Sequence, residues 1–106
     1  MEKINDITEF EQLLEAKEPF FLLKHSTTCP ISAAAFDEYA AFLNAAGTSQ
    51  KGVYLAVQDS RELSNYIAEA SKIRHESPQV IFFKDGKPEW NESHWKITKD
   101  NLSSIQ

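Results

Sequence analysis

Cys29, the chain's one cysteine, is the residue whose type and setting most invite chemistry. It lies in Ser26-Thr27-Thr28-Cys29-Pro30-Ile31-Ser32, after the apolar run Phe20-Phe21-Leu22-Leu23 and before a helix-like stretch from Ser32 to Ala46. A cysteine at a strand-to-helix junction meets backbone N–H groups that have no intrahelical acceptor. Those groups and the helix dipole favour thiolate over thiol, and the thiolate is the nucleophile. Pro30 suits the first helical turn because it has no N–H to leave unpaired. Position 32, where a dithiol Cys-x-x-Cys would carry its second cysteine, holds Ser32. A reactive Cys29 therefore has no internal thiol to resolve it. The bland alternative is an inert core cysteine, a common state of free thiols. The proline, the helix start and a later Ser77-Pro78 weigh against it.

Other polar residues near this junction have plainer readings beside functional ones. Ser32 reads first as a helix-start residue and second as a hydroxyl one turn from the Cys29 sulfur. Thr27 and Thr28 read as loop residues that could also donate to a thiolate or shape its groove. His25 ends the strand leading to the cysteine, and His75 lies in the segment expected to face it. Either, if protonated, would stabilise a thiolate. His75 is the better placed, without being assigned as catalytic. His94 beside Trp95 reads as structural, on a far hairpin strand. Trp90 and Trp95 read as core or hairpin packing, and Lys24 and Arg74 as solvated charges. Three histidines and one cysteine show no zinc-ligand spacing, and three glycines form no phosphate loop. No pair of carboxylates has a spacing that suggests acid–base work.

The elements that must position these residues follow from the apolar pattern. Asp6-Ile7-Thr8-Glu9 marks a helix start. Ile7, Phe10, Leu13 and Leu14 give that helix one face, and Pro19 ends it. Residues 20–25 read as a buried strand. The helix after Cys29 carries Phe36, Tyr39, Ala40 and Leu43, with Gly47 as terminator. Val53 to Val57 is a second strand. Asp59-Ser60-Arg61-Glu62 opens a third helix with Leu63, Tyr66, Ile67 and Ala70 on its face. Val80 to Phe83 is a third strand, Asp85-Gly86 a hairpin turn, and Glu89 to Trp95 a fourth strand. Leu102 and Ile105 suggest a short last helix. The order α-β-α-β-α-β-β-α implies an α/β protein with a mixed four-stranded sheet flanked by helices.

Composition sets the outer limits. A chain of 106 residues is expected to form one domain, 1–106, with room for one core. Its net charge of −5 argues against broad nucleic-acid binding. No apolar run approaches the roughly 20 residues of a membrane span. The polar, acidic start Met1-Glu2-Lys3-Ile4-Asn5-Asp6 lacks the features of a signal peptide. One cysteine cannot form an intramolecular disulfide, and together these features suggest a reducing cytoplasm.

The element order resembles a thioredoxin fold without the extra first strand. Cys29-Pro30-Ile31-Ser32 falls where thioredoxin-like proteins carry their active-site cysteine, and Ser77-Pro78 where that fold places its cis-proline. Ser26 to Ser32, together with Arg74-His75-Glu76-Ser77-Pro78-Gln79, resembles the monothiol bacilliredoxins of the YtxJ type, small cytosolic proteins, along nearly the whole chain. The resemblance implies that Cys29 takes bacillithiol from S-bacillithiolated proteins through a mixed disulfide. A second bacillithiol, or another redox protein, then releases it. It implies bacillithiol as co-substrate, with no tightly bound cofactor and no metal. It also implies a cis Pro78 that turns the Ser77 backbone toward Cys29, where it pairs with the disulfide partner. The substrate-binding set is then Thr28, Pro30, Ser32, Arg74, His75, Ser77 and Pro78, with Arg74 able to pair with bacillithiol carboxylates. Two other functions stand beside this one. Monothiol glutaredoxins also use Cys-x-x-Ser and share an iron–sulfur cluster between chains, but have Gly where this chain has Pro30. The third is a thioredoxin-like interaction domain without redox turnover.

Overall fold

The computed structural model describes residues 1–45 and 50–105. Along the chain lie β1 (Glu2–Lys3), α1 (Ile7–Ala16), β2 (Phe20–His25), α2 (Pro30–Leu43), β3 (Lys51–Ala56), α3 (Arg61–Ser71), β4 (Gln79–Lys84), β5 (Lys87–Ser93) and α4 (Lys99–Ser103). A 3-10 turn, His94–Lys96, joins β5 to α4. Helix α2 ends at Leu43, with Asn44 as its cap, short of the expected Ala46; the terminator expected at Gly47 lies outside the described residues.

The five strands form one mixed sheet in the order β1-β3-β2-β4-β5. Strands β1 and β2 run parallel to β3, while β4 is antiparallel to β2 and β5 to β4. The sheet thus has five strands where the sequence pattern gives four, and the extra first strand is present. It consists of two exposed residues, too few to show a period. Its pairing to Val53 and Tyr54 holds it, continued by the Ile4 N–H to Tyr54 O at 2.8 Å.

Alternation along β2 divides the core in two. Phe20 and Leu22 join Phe10, Leu63 and Ile67 under α1 and α3. Phe21 and Leu23 join Tyr39, Phe42 and Leu102 under α2 and α4. Each such buried side chain stabilises the fold by about 1.5–3 kcal/mol. Helix α1 starts as expected: Asp6 Oδ1 accepts from the Glu9 N–H at 2.9 Å, and Glu9 Oε1 accepts from the Asn5 N–H at 2.9 Å. It stops at Lys17, whose φ of 60° is left-handed, two residues before Pro19. Asp85 and Gly86, at φ 55° and 75°, close the β4–β5 hairpin. Gly52 is required for another reason: a Cβ there would collide with the Leu43 and Tyr39 side chains, where α2 crosses β3.

The pattern needs correction in two places. Ala70 is exposed, and the buried face of α3 is Leu63, Ser64, Ile67 and Ser71. Strand β5 ends at Ser93, because His94 takes a φ of 55° and turns the chain. His94 and Trp95 therefore lie beyond the strand. Trp90 packs against the core as expected, but Trp95 is 69% exposed.

Candidate active site

The topology brings four segments to one edge of the sheet. They are the chain leaving β2, the chain leaving β3, the chain entering β4 and the chain leaving β5. Cys29 belongs to the first. It is the N-cap of α2, with extended backbone (φ −109°, ψ 125°), and Pro30 takes the first helical position. Its carbonyl accepts the Ala33 N–H at 3.1 Å. The thiol itself is partly exposed, so a disulfide in solution can reach it.

The electrostatics of this position favour thiolate. The Ser32 backbone N–H, then that of Ile31, pull the Cys29 pKa below its ordinary value, against a small opposing effect of burial. The Ser32 hydroxyl adds in the same direction. Ser32 is fully buried, and its Oγ has no hydrogen-bond partner among the described residues. The pull on the thiol is dominated by the backbone rather than the hydroxyl.

The loop before Cys29 is held by Gln58, a residue the sequence pattern does not single out. Gln58 follows β3 and reaches across to the end of β2. Its Nε2 donates to Ser26 Oγ at 2.7 Å and Thr28 Oγ1 at 3.2 Å. Its Oε1 accepts the Thr27 N–H at 3.2 Å. One amide thus satisfies three consecutive loop residues. The available signal is position: a polar residue just past a buried parallel strand beside the strand that carries the cysteine.

Ser77–Pro78 is a cis peptide at the entry to β4. Pro78 is buried, and its carbonyl accepts the His94 N–H at 3.1 Å, joining this loop to the turn after β5. Ser77 Oγ is buried without a hydrogen-bond partner among the described residues. Arg74 is exposed, and among the described residues its guanidinium makes no ion pair or hydrogen bond, while its backbone carbonyl accepts from Gln79 Nε2 at 3.1 Å.

Neither histidine near the site supplies positive charge to the sulfur. His75 turns Nδ1 inward, 3.1 Å from Lys24 Nζ and 3.2 Å from Ser64 Oγ. Burial and then the Lys24 charge push its pKa down, only partly countered by Glu76. His25 lies against Phe36, with ring centroids 4.9 Å apart, and burial pushes its pKa down. Both are neutral near pH 7. Lys24 is not a solvated charge either. It is fully buried on the α1–α3 side of β2, its Nζ also donates to Ser64 O at 3.2 Å, and burial lowers its pKa to about 8. It ties β2 to the segment that leads to Pro78.

A half-exposed thiol with depressed pKa, at a helix N-terminus and without a second cysteine, can form mixed disulfides but no internal one. A family model, monothiol bacilliredoxin BrxC, matches residues 2–102. The chain belongs to the monothiol bacilliredoxins. Among solved structures it is similar to a candidate oxidoreductase with a thioredoxin fold, at 43% identity and TM-score 0.90, covering 97% of this chain and 90% of that one. It also matches mitochondrial thioredoxin 3 of Saccharomyces cerevisiae (17% identity, 99% and 92% coverage, TM-score 0.77). Fasciola hepatica thioredoxin matches at 15% identity, 99% and 95% coverage and TM-score 0.77. The last two show the fold alone, and it is the thioredoxin fold expected from the element order. The bacilliredoxin is a thiol–disulfide oxidoreductase, and no helix among its described residues is long and apolar enough to cross a membrane.

Proposed function

We propose that this bacilliredoxin removes bacillithiol from S-bacillithiolated proteins in the cytoplasm, with Cys29 as the nucleophile. The observation that supports this most is the cysteine's environment: two helix-start N–H groups aimed at an accessible sulfur, with a serine where a resolving thiol would stand. In the first step the Cys29 thiolate attacks the bacillithiol sulfur of the client's mixed disulfide. A bond forms between Cys29 and bacillithiol. The client's S–S bond breaks, and its cysteine leaves as thiolate and takes a proton from water. In the second step a free bacillithiol thiolate attacks the sulfur of the bound bacillithiol. Bacillithiol disulfide departs and Cys29 returns as thiolate. Two electrons pass from bacillithiol to the client, and no tightly bound cofactor is needed.

The surrounding residues have roles consistent with these steps. The Ile31 and Ser32 amides and the Ser32 hydroxyl hold negative charge on Cys29, and Pro30 leaves the first turn without a competing donor. Thr28, fixed by Gln58, borders the sulfur. Ser77 and Pro78 offer backbone to the incoming disulfide. The unengaged Arg74 guanidinium pairs with a bacillithiol carboxylate, while His75 acts by positioning its segment against Lys24.

The test is release of bacillithiol from a modified client by wild-type, Cys29→Ala and Ser32→Ala proteins. Cys29→Ala should abolish release and Ser32→Ala should keep a substantial part. Turnover by Cys29→Ala would refute the mechanism.

A further inference from the structure

Trp95 is the largest apolar side chain that the fold leaves in water, at 69% exposure. Apart from Met1 at the N-terminus, every other large apolar residue among those described is at least partly covered. An indole in that state is characteristic of a binding surface. Trp95 borders a groove of about 230 Å³ whose other walls include Ile31, Ala34 and Ala35 of α2 and Ile97 after the turn. Ile31 is two residues from the nucleophile. The neighbouring His94 N–H is bonded to Pro78 O at 3.1 Å, so the groove is continuous with the proline loop.

Two polar side chains of this groove are already engaged, and the exposed His94 ring also lines it. Glu38 Oε1 accepts the Lys99 N–H at 2.7 Å, and Thr98 Oγ1 accepts the Asn101 N–H at 3.1 Å, both at the start of α4. What the groove offers a ligand beyond the His94 ring is mostly hydrocarbon and the indole face. The strand order places the opposite character on the other side of Cys29: Gln58 leaves β3, on one side of β2, while Trp95 leaves β5, on the other. Among the lining residues a polar thiol bearing carboxylates meets the Glu38 carboxylate, one imidazole and no Lys or Arg, whereas an apolar side chain of a polypeptide meets Ile31, Ala34, Ala35, Ile97 and the indole.

We propose that this groove receives a large apolar side chain flanking the modified cysteine of the client protein. Trp95 is then a specificity-determining residue that favours protein-borne disulfides over small ones. The inference rests on the reading of Cys29 as the site of exchange with modified proteins.

The experiment compares wild type, Trp95→Ala and Trp95→Phe on S-bacillithiolated peptides with Leu or Ser beside the cysteine. Bacillithiol disulfide serves as the substrate without a peptide. Burial of one such side chain corresponds to about tenfold in KM. Wild type should favour the Leu peptides by that factor. Trp95→Ala should lose the preference, Trp95→Phe should keep most of it, and all three should react equally with bacillithiol disulfide. A preference unchanged in Trp95→Ala would overturn the proposal. So would an equal loss on every substrate, which would assign the groove to the small thiol. The same peptides with Ser in place of their cysteine, bound to the Cys29→Ser variant and followed by fluorescence anisotropy, test the groove without chemistry. Tighter Leu binding that depends on Trp95 supports it, and parity overturns it. If no modified peptide reacts with wild type, the exchange reading fails by itself, and the anisotropy still decides the groove.

Discussion

Replacing Lys24 by Met should stabilise this protein at neutral pH and reverse that advantage in alkali. Lys24 has no exposed surface and, among the described residues, no carboxylate partner; its Nζ meets Ser64 O and His75 Nδ1. Its pKa falls from 10.5 to about 8 on folding, a gap worth on the order of 3 kcal/mol. Below pH 8 both the folded and the unfolded chain carry the proton, and the whole penalty of burying an ammonium opposes folding. Between about pH 8 and 10.5 the folded chain sheds a proton that the unfolded chain keeps, so stability rises with pH. Above that window both are neutral and the penalty is gone. Met keeps the length and the apolar contacts. It loses two hydrogen bonds of roughly 1 kcal/mol each, and His75 Nδ1 keeps Ser64 Oγ. The net expectation is a gain of about 1 kcal/mol at pH 7 and a loss approaching about 2 kcal/mol near pH 10.5. Urea unfolding of both proteins across this range measures it. The Cys29 and Tyr39 shifts act in both proteins, so the difference between the two curves isolates Lys24 at pH values above the titration of His75, whose shift depends on the Lys24 charge. A Met variant less stable at pH 7, with no change in the difference up to pH 10.5, would refute the reasoning.

Three further expectations follow from the site. Ser32→Ala should raise the Cys29 pKa, followed by thiolate absorbance, but leave it below that of a free thiol, because the Ser32 and Ile31 N–H groups remain; an unchanged pKa would remove the hydroxyl from the site. The rate of mixed-disulfide formation by wild type should rise with pH and level off below the ordinary thiol range, since the thiolate is already populated there; a rate still climbing through that range would contradict the depressed pKa. Gln58→Ala removes the three bonds that order Ser26 to Thr28. It should speed hydrogen exchange at the Thr27 amide while costing only about 1 kcal/mol of global stability, because these bonds are largely exposed.

Local chemistry marked most of this molecule in advance. Strands β2, β3 and β4 are apolar runs between turn signals, the Asp6 cap and the Asp85-Gly86 turn have side-chain or backbone requirements that few residues meet, and the cysteine-proline pair marks a helix start. What escaped has no local signature. Strand β1 exists only because β3 offers it an edge. Lys24 reads as a surface charge in isolation, but it shares the buried face of Phe20 and Leu22, which follows only from period-2 alternation under a helix. His94 ends β5 with a positive φ and no glycine to announce it, which moved Trp95 from assumed packing into solvent. Gln58 acts across strands far apart in sequence. His75, expected to face the thiol, instead satisfies Lys24, a partner 51 residues away.

Intact mass of the reduced protein after mixing with an S-bacillithiolated client tests the central claim most directly. Cys29 is the only thiol in the chain, so any disulfide adduct reports on that atom alone. Gain of one bacillithiol by the bacilliredoxin, matched by its loss from the client, is the predicted result. A client that keeps its bacillithiol while Cys29 stays free and accessible would contradict it.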